Sequence, residues 1–280
     1  MRIAVLTSLT MVAFASNSLL TRGALGRGLI DAPSFTLIRL ITGAAMLALL
    51  LRLRTADTSG DPSSASHGSW NSGFWLAGYA VAFTIAYTMI GAGVGALLLF
   101  GAVQATMIIA GLTSGERPRV TDWIGLALAM TGLSWLTLYG ANRPDGLGAF
   151  LMVLAGVCWG GYSLAGRRSR DPMASTAGNF WRAALLSFAA LVYAAARGHL
   201  TPAGMVLATV SGAVASGVGY TLWYSVLPEL GAWRAALVQL TVPVITGLGA
   251  ALVLGESITT RLIVAALLVG GGVGLSLSRK

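Results

Sequence analysis

Polar and apolar positions do not alternate along this chain; apolar residues come in blocks. Each block is about as long as the roughly 20 helical residues needed to cross a hydrocarbon core. Ten can be laid out, at residues 3–20, 33–51, 74–90, 94–113, 123–140, 147–165, 176–195, 205–226, 235–254 and 261–277. Seven of the eight prolines (33, 62, 118, 144, 172, 202 and 228) are expected in connections or at helix starts, and Pro243 alone falls inside a block. Backbone polar groups in a bilayer must be satisfied within the protein, so a spanning chain is either helical or a closed barrel. A barrel wall alternates polar with apolar residues, which these blocks do not. The pattern predicts an all-α membrane protein with ten transmembrane helices. One connection, Arg54 to Ser69 (RTADTSGDPSSASHGS), has the composition of a mobile linker. The opening MRIAVLTSLTMVAFASNS has the basic start and apolar core of a signal peptide, but its counterpart later in the chain favours a first transmembrane helix.

The breaks between blocks recur. GLTSGERP (111–118) follows the fourth block as LVLGESIT (252–259) follows the ninth, and Gly115-Glu116 aligns with Gly255-Glu256 at an offset of 140 residues that also pairs Gly91-Ala92 with Gly231-Ala232. An offset of 143 pairs Arg39 with Arg182 and Gly23 with Gly166. Two units follow, 1–140 (including the loop 52–73) and 141–280, each of five spans. Five is odd, so the second unit enters the membrane from the opposite face, giving two inverted five-helix repeats with a solute site expected between them near the midplane. Cations assigned to alternate sides divide eleven (Arg2, Arg52, Arg54, Arg117, Arg119, Arg167, Arg168, Arg170, Arg234, Arg279, Lys280) to five (Arg22, Arg27, Arg143, Arg197, Arg261). The positive-inside rule then predicts both termini in the cytoplasm of a bacterial-type inner membrane.

Composition sharpens this. Apolar residues make up 56% and charged residues 10%, with a mean hydropathy of +0.79, far from soluble domains with about a quarter charged. The net charge of +9 is explained by topology, so no nucleic-acid partner is expected. Cys158 is the single cysteine, His67 and His199 lie in connections, and no Asp, Glu, Lys or His lies deep in a span. Glu116, Glu229 and Glu256 are all at span ends. A membrane enzyme needs clustered His, Cys or carboxylate groups. None is seen, so no catalytic residue, metal or cofactor is expected. Proton-driven export of cations, which relies on a buried carboxylate, is disfavoured; facilitated movement of a net-neutral zwitterion fits better.

The stretch VPVITGLGAALVLGESIT (242–259), LIVAALLVGGGVGL downstream, the echo SGERPRVTDWIGLALAMTGL (114–133) and GVCWGGYSLAGRR (156–168) together resemble the EamA family of the drug/metabolite transporter superfamily. Within it the chain looks most like the YddG-type amino-acid exporters, which handle aromatic substrates. The resemblance implies an amino-acid exporter of broad specificity, functional as a monomer in the lipid bilayer and working by alternating access. Another small metabolite or neutral drug, such as a nucleoside or sugar derivative, is the alternative. The halves have diverged: Val103 stands where the second unit has Pro243, and Ser16-Asn17 where it has Trp159-Gly160.

Candidate binding residues follow from spacing. Tyr79, Phe83 and Tyr87 recur at i, i+4 and i+8, so their rings share one helical face; Trp223 aligns with Phe83 across the repeat, with Tyr220 and Tyr224 close by. Such a face either lines a pocket or packs against lipid and neighbouring helices. Polar residues within spans, where unsatisfied groups are costly, include Asn17 and Gln104, assigned to the cavity, and Asn179 and Gln239, assigned to helix contacts. Trp159, Tyr162 and Ser163 add donors and acceptors on span six. Arg39 and Arg182 would each cost about 2.5–3.5 kcal/mol at the bilayer centre; each either snorkels to the interface or meets a substrate carboxylate. Gly156 and Gly160, and Gly270 and Gly274, have the small-xxx-small spacing of close helix contacts.

Overall fold

The computed structural model describes residues 2–57, 68–90, 92–138, 145–196, 198–255 and 257–277. Of the residues singled out above, His67, Gly91, Arg143, Pro144, Arg197, Glu256, Arg279 and Lys280 lie outside that set, as do Pro62 and most of the linker. The elements are α1 (Arg2–Leu25), α2 (Ala32–Asp57), α3 (Trp70–Met89), α4 (Ala92–Thr113), α5 (Val120–Thr137), α6 (Gly146–Gly166), α7 (Pro172–Ala195), α8 (Pro202–Val210), α9 (Gly219–Gln239), α10 (Thr241–Leu254) and α11 (Thr260–Leu277). The eight residues Ser211–Val218, joining α8 to α9, wind as a wider π-helix.

The helix starts are written in the sequence. Ser69, Asp145, Asp171 and Thr201 accept from the backbone N–H of Ser72, Gly148, Ala174 and Gly204, at 2.8 to 3.1 Å, satisfying donors that the first turn leaves orphaned. Pro172 and Pro202 follow two of these caps at positions where no N–H is needed. Gly115 (φ 87°) and Gly255 (φ 71°), 140 residues apart, are both left-handed, and Gly255 is the residue that ends α10. The Gly-Glu punctuation is thus a helix stop. Pro228, expected in a connection, lies instead inside α9, three residues before that helix breaks at Gly231 (φ 73°, ψ 172°).

Six of the helical stretches are long and apolar enough to cross a membrane: Arg2–Leu25, Ala32–Arg54, Val94–Thr113, Gly146–Gly166, Pro202–Gln239 and Thr260–Leu277. The remaining long helices, α3, α5 and α7, also present large apolar side chains to the outside, among them Phe74, Trp135 and Leu185. Exposed apolar residues on so many helices match a lipid environment and not water. This is a multi-pass membrane protein.

The helices pack α5 on α11, α3 on α6 and α7, α2 on α7 and the π segment, α4 on α6 and α9, and α1 on the π segment, α9 and α10. Small residues allow the closest of these approaches. Where α5 crosses α11, a methyl group on Gly125 would strike the Gly272 carbonyl and one on Gly272 would strike the Gly125 carbonyl. Gly156 meets Leu99 and Ala102 of α4, and Gly160 meets Thr106. Gly270 and Gly274 face open space, so on α11 the glycine that packs is Gly272, between the expected pair.

Candidate functional site

A cavity of about 1050 Å³ runs into the helical bundle from one end. Its mouth is formed by Arg22 and Gly26 at the end of α1, Met89 and Ile90 at the end of α3, Thr137 at the end of α5 and Asp145 at the start of α6. Its inner part is formed by α1, α2, α3, α4, α6, α9 and α10. α1 contributes Phe14, Asn17, Ser18 and Thr21, spaced i, i+3, i+4 and i+7, and across α9 and α10 Gln239, Val242, Pro243 and Thr246 repeat that spacing.

Aromatic rings build the wall. Tyr79, Phe83 and Tyr87 form a ladder up α3 with ring centroids 5.7 and 5.6 Å apart. At its foot Tyr79 meets Trp159 of α6 at 5.1 Å, and Trp159 meets Tyr220 of α9 at 4.8 Å. Phe14 stands edge-on to Trp159, Tyr220 and Trp223 at 5.5 to 5.7 Å. Edge-to-face aromatic pairs are favourable beyond their buried area. The Trp159 indole N–H donates to Gln239 Oε1 at 2.6 Å, and Gln239 Nε2 donates to the Ala235 carbonyl at 3.1 Å, so the ring at the cavity floor is held in place.

One charge reaches the inner cavity. Arg39 is 8% exposed and lies against the π segment and α9. Its Nε donates to Ser216 Oγ at 2.8 Å and a terminal nitrogen donates to the Tyr220 hydroxyl, with the guanidinium carbon 5.9 Å from the Tyr220 ring centre. The π winding brings this about: the wider turn presents Ser216 to Arg39 and Ser211 to Asn17, whose Oδ1 accepts from Ser211 Oγ. π segments inside helices occur frequently at functional sites. Gly212 permits the approach, because a Cβ there would run into the Arg39 backbone and the Thr42 hydroxyl.

The opposite end of the bundle is closed. Glu116, after α4, accepts from Arg167 at 2.9 Å and from the backbone N–H groups of Ala232 (2.9 Å) and Trp233 (3.0 Å). Those N–H groups are exposed by the break at Gly231, a left-handed position that a side chain would strain. A carboxylate on freshly started helix N–H groups is stabilised both by hydrogen bonds and by the helix dipole. Between this knot and the cavity floor the interior is packed solid by Met107, Tyr162, Trp223, Leu227 and Leu237, all fully buried.

Seven of the twelve candidate residues line the cavity together: Asn17, Arg39, Tyr79, Phe83, Tyr87, Trp159 and Tyr220. Tyr162, Ser163 and Trp223 stand one layer behind, where Trp223 Nε1 donates to Ser163 Oγ at 3.0 Å and Tyr162 packs on Trp159. Gln104 and Gln239 exchange places. Gln104 donates to the Ala236 carbonyl at 2.7 Å and joins α4 to α9 outside the lining, while Gln239 lies in it. Arg182 is not at the cavity either. It packs beside the rings of Trp181 (4.9 Å) and Trp70 (5.4 Å), which are exposed, and donates to the Gly178 carbonyl. Arg39 and Arg182, aligned in the sequence, therefore sit in different environments. Asn179 bridges the Ser69 N–H and the Tyr224 hydroxyl, as a helix-joining residue. Phe14 was not among the candidates; its spacing from Asn17, Ser18 and Thr21 is the signal that marks it.

Among the described residues no group of His, Cys, Asp or Glu could hold a metal ion. A lipid-exposed bundle around a deep amphipathic cavity is the build of a small-molecule carrier. Residues 146–278 match the model of the EamA-like transporter family. The chain is also 50% identical over 279 residues to the uncharacterized protein PA1977 of Pseudomonas aeruginosa, covering 99% of this chain and 95% of that protein. The family match covers just under half of the chain and marks that stretch as similar to a family of small-molecule transporters. A solved structure titled only as the crystal structure of a protein superposes with a TM-score of 0.85 at 17% identity, covering 99% of this chain and 97% of that one, which establishes a shared fold.

Proposed function

We propose that the protein is an amino-acid exporter of the inner membrane, of broad specificity that includes aromatic side chains, as the likeness to YddG-type exporters suggests. The observation that carries this reading is the pairing of one buried arginine, Arg39, with an aromatic ladder in a single cavity open at one end. The guanidinium suits a carboxylate and the rings suit an apolar or aromatic side chain.

The reading includes alternating access between inverted five-helix halves, and the packing supports it. With α8, the π segment and α9 to Leu230 taken as one rod, and 232–254 as the next, the major pairings have counterparts five rods along. α3 on α6 corresponds to α1 on α9, α4 on α6 to α1 on α10, and α3 on α7 to α2 on the π segment. The contacts α2–α7 and α5–α11 map onto themselves. With the cation-rich side cytoplasmic, the cavity opens outward and the Glu116 knot closes the inside. No described carboxylate lies at the cavity floor, which favours facilitated diffusion over proton coupling. The test is radiolabelled phenylalanine uptake into proteoliposomes with and without a pH gradient. Saturable uptake in both is expected; uptake no faster than in protein-free liposomes overturns the proposal.

A further inference from the structure

We infer that the inner cavity recognises a carboxylate and offers no countercharge to an ammonium group, so that its substrates are organic carboxylates with an aromatic or apolar body, with or without an α-amino group. This deepens the reading of the cavity as a substrate path and rests on it.

The charges lining the inner cavity have one sign. Arg39 is buried to 8% exposure, and its partners are the neutral hydroxyls of Ser216, Tyr220 and Tyr79. Among the described residues no carboxylate lies within ion-pair distance of it. A guanidinium carries five N–H donors, so hydrogen-bonding capacity remains for an anion beyond these hydroxyls. A buried charge that lacks a countercharge is expensive to maintain, and an incoming carboxylate would supply both charge and acceptors.

An ammonium finds the reverse. Asp145 is the one carboxylate among the described lining residues, and it sits at the mouth, where its Oδ1 accepts from the Gly148 N–H to cap α6. The acceptors deeper in are neutral: Gln239 Oε1 and Asn17 Oδ1 each already accept one bond, from the Trp159 indole and the Ser211 hydroxyl, and the Thr246 hydroxyl on the lining carries no charge. The Tyr220 ring, which could hold a cation on its face, already has the Arg39 guanidinium 5.9 Å from its centre. An amine placed there would be repelled by Arg39 with no compensating charge among the described lining residues of the inner cavity. The ammonium of an amino acid is therefore carried in cavity water or against the rings of α3, tolerated but not selected. Aromatic 2-oxo and 2-hydroxy acids should enter as readily as the amino acids, and aromatic amines should not.

Three ligands that share a phenyl body separate these terms: 3-phenylpropanoate, phenylalanine and phenethylamine. Binding to the purified full chain is read by tryptophan fluorescence and by thermal shift, since Trp159 lines the site. The expected order is phenylpropanoate at least as tight as phenylalanine, and phenethylamine weaker than either by about tenfold or more. Arg39→Gln should weaken phenylpropanoate by about ten- to a hundredfold and leave phenethylamine unchanged; Arg39→Lys should recover part of the loss. If Arg39→Gln fails to fold, the wild-type series decides alone. Phenethylamine binding as tightly as phenylpropanoate, or phenylalanine binding that phenylpropanoate cannot displace, overturns the inference. Phenylpropanoate binding without phenylalanine flux would sink the amino-acid reading and leave this one standing. Failure of both carboxylates to bind would overturn both.

Discussion

Two aromatic residues that align across the repeat, Phe83 and Trp223, occupy different layers, and substitution should separate their roles. Phe83 is half-buried and faces the cavity, so Phe83→Ala should reduce substrate flux while shifting the melting temperature little. Trp223 is fully buried, with its indole nitrogen on Ser163; Trp223→Ala should cost about 3–5 kcal/mol, visible as a large drop in melting temperature. Equal thermal effects would contradict this layering. At the rim of the bundle Asp171 accepts from both terminal nitrogens of Arg54 while capping α7. Burial pushes its carboxyl up, but the Arg54 and Ala174 hydrogen bonds outweigh this and hold it below its ordinary value. The sign follows from a lowered native pKa: the link contributes above the unfolded carboxyl's pKa and is lost as pH falls through the native one. Thermal melts should therefore show Asp171→Asn destabilised relative to wild type near neutrality, with the gap closing in acid. At this scale the sequence revealed which residue types mattered but not always their direction. Spacing put Tyr79, Phe83 and Tyr87 on one face, yet Gln104 and Gln239, both buried amides in apolar helices, differ only in which neighbour each faces, and that is set by packing across the bundle.

Helix stops and starts were the most legible elements, because caps and left-handed glycines are local chemistry. The Gly-Glu pairs mark them, and Glu116 shows why the acid follows the glycine: it turns to satisfy the N–H groups freed at Gly231. Glu116→Ala removes three hydrogen bonds from the closed end and leaves Arg167 without this partner. The expected outcome is faster labelling of a cysteine placed at the closed end, Ala232→Cys in a Cys158→Ala background, with Glu116→Gln intermediate; unchanged labelling would show that the knot does not hold that end. Close helix approach was legible only in part. Small-xxx-small spacing found Gly156 and Gly160, but on α11 it pointed to Gly270 and Gly274 and missed Gly272, since four glycines within five residues cannot say which faces a neighbour. Gly125→Val should separate α5 from α11 and lower the melting temperature, whereas Gly274→Val should be near neutral. The π segment was not legible. Its residues read as ordinary helix, and the partners that Ser216 and Ser211 meet, Arg39 and Asn17, come from other helices far away in the sequence.

For the whole molecule, hydropathy and a 140-residue offset were enough to predict an all-helical membrane bundle, and lipid-exposed apolar faces together with the family match bear out that coarser level. What the offset could not convey is asymmetry. Arg39 and Arg182 are repeat partners by sequence, but only Arg39 meets the cavity, because the π segment lies beside α2 and exposed tryptophans lie beside α7. In the proposed function, solute crosses the membrane through the cavity. Blocking that cavity is the direct check. Ala96, half-buried on the cavity wall of α4, is replaced by Cys in a Cys158→Ala background, and phenylalanine counterflow in proteoliposomes is followed before and after treatment with a bulky maleimide. The expected result is saturable flux that the reagent abolishes and that excess substrate protects. Undiminished flux through a fully labelled protein would contradict the account.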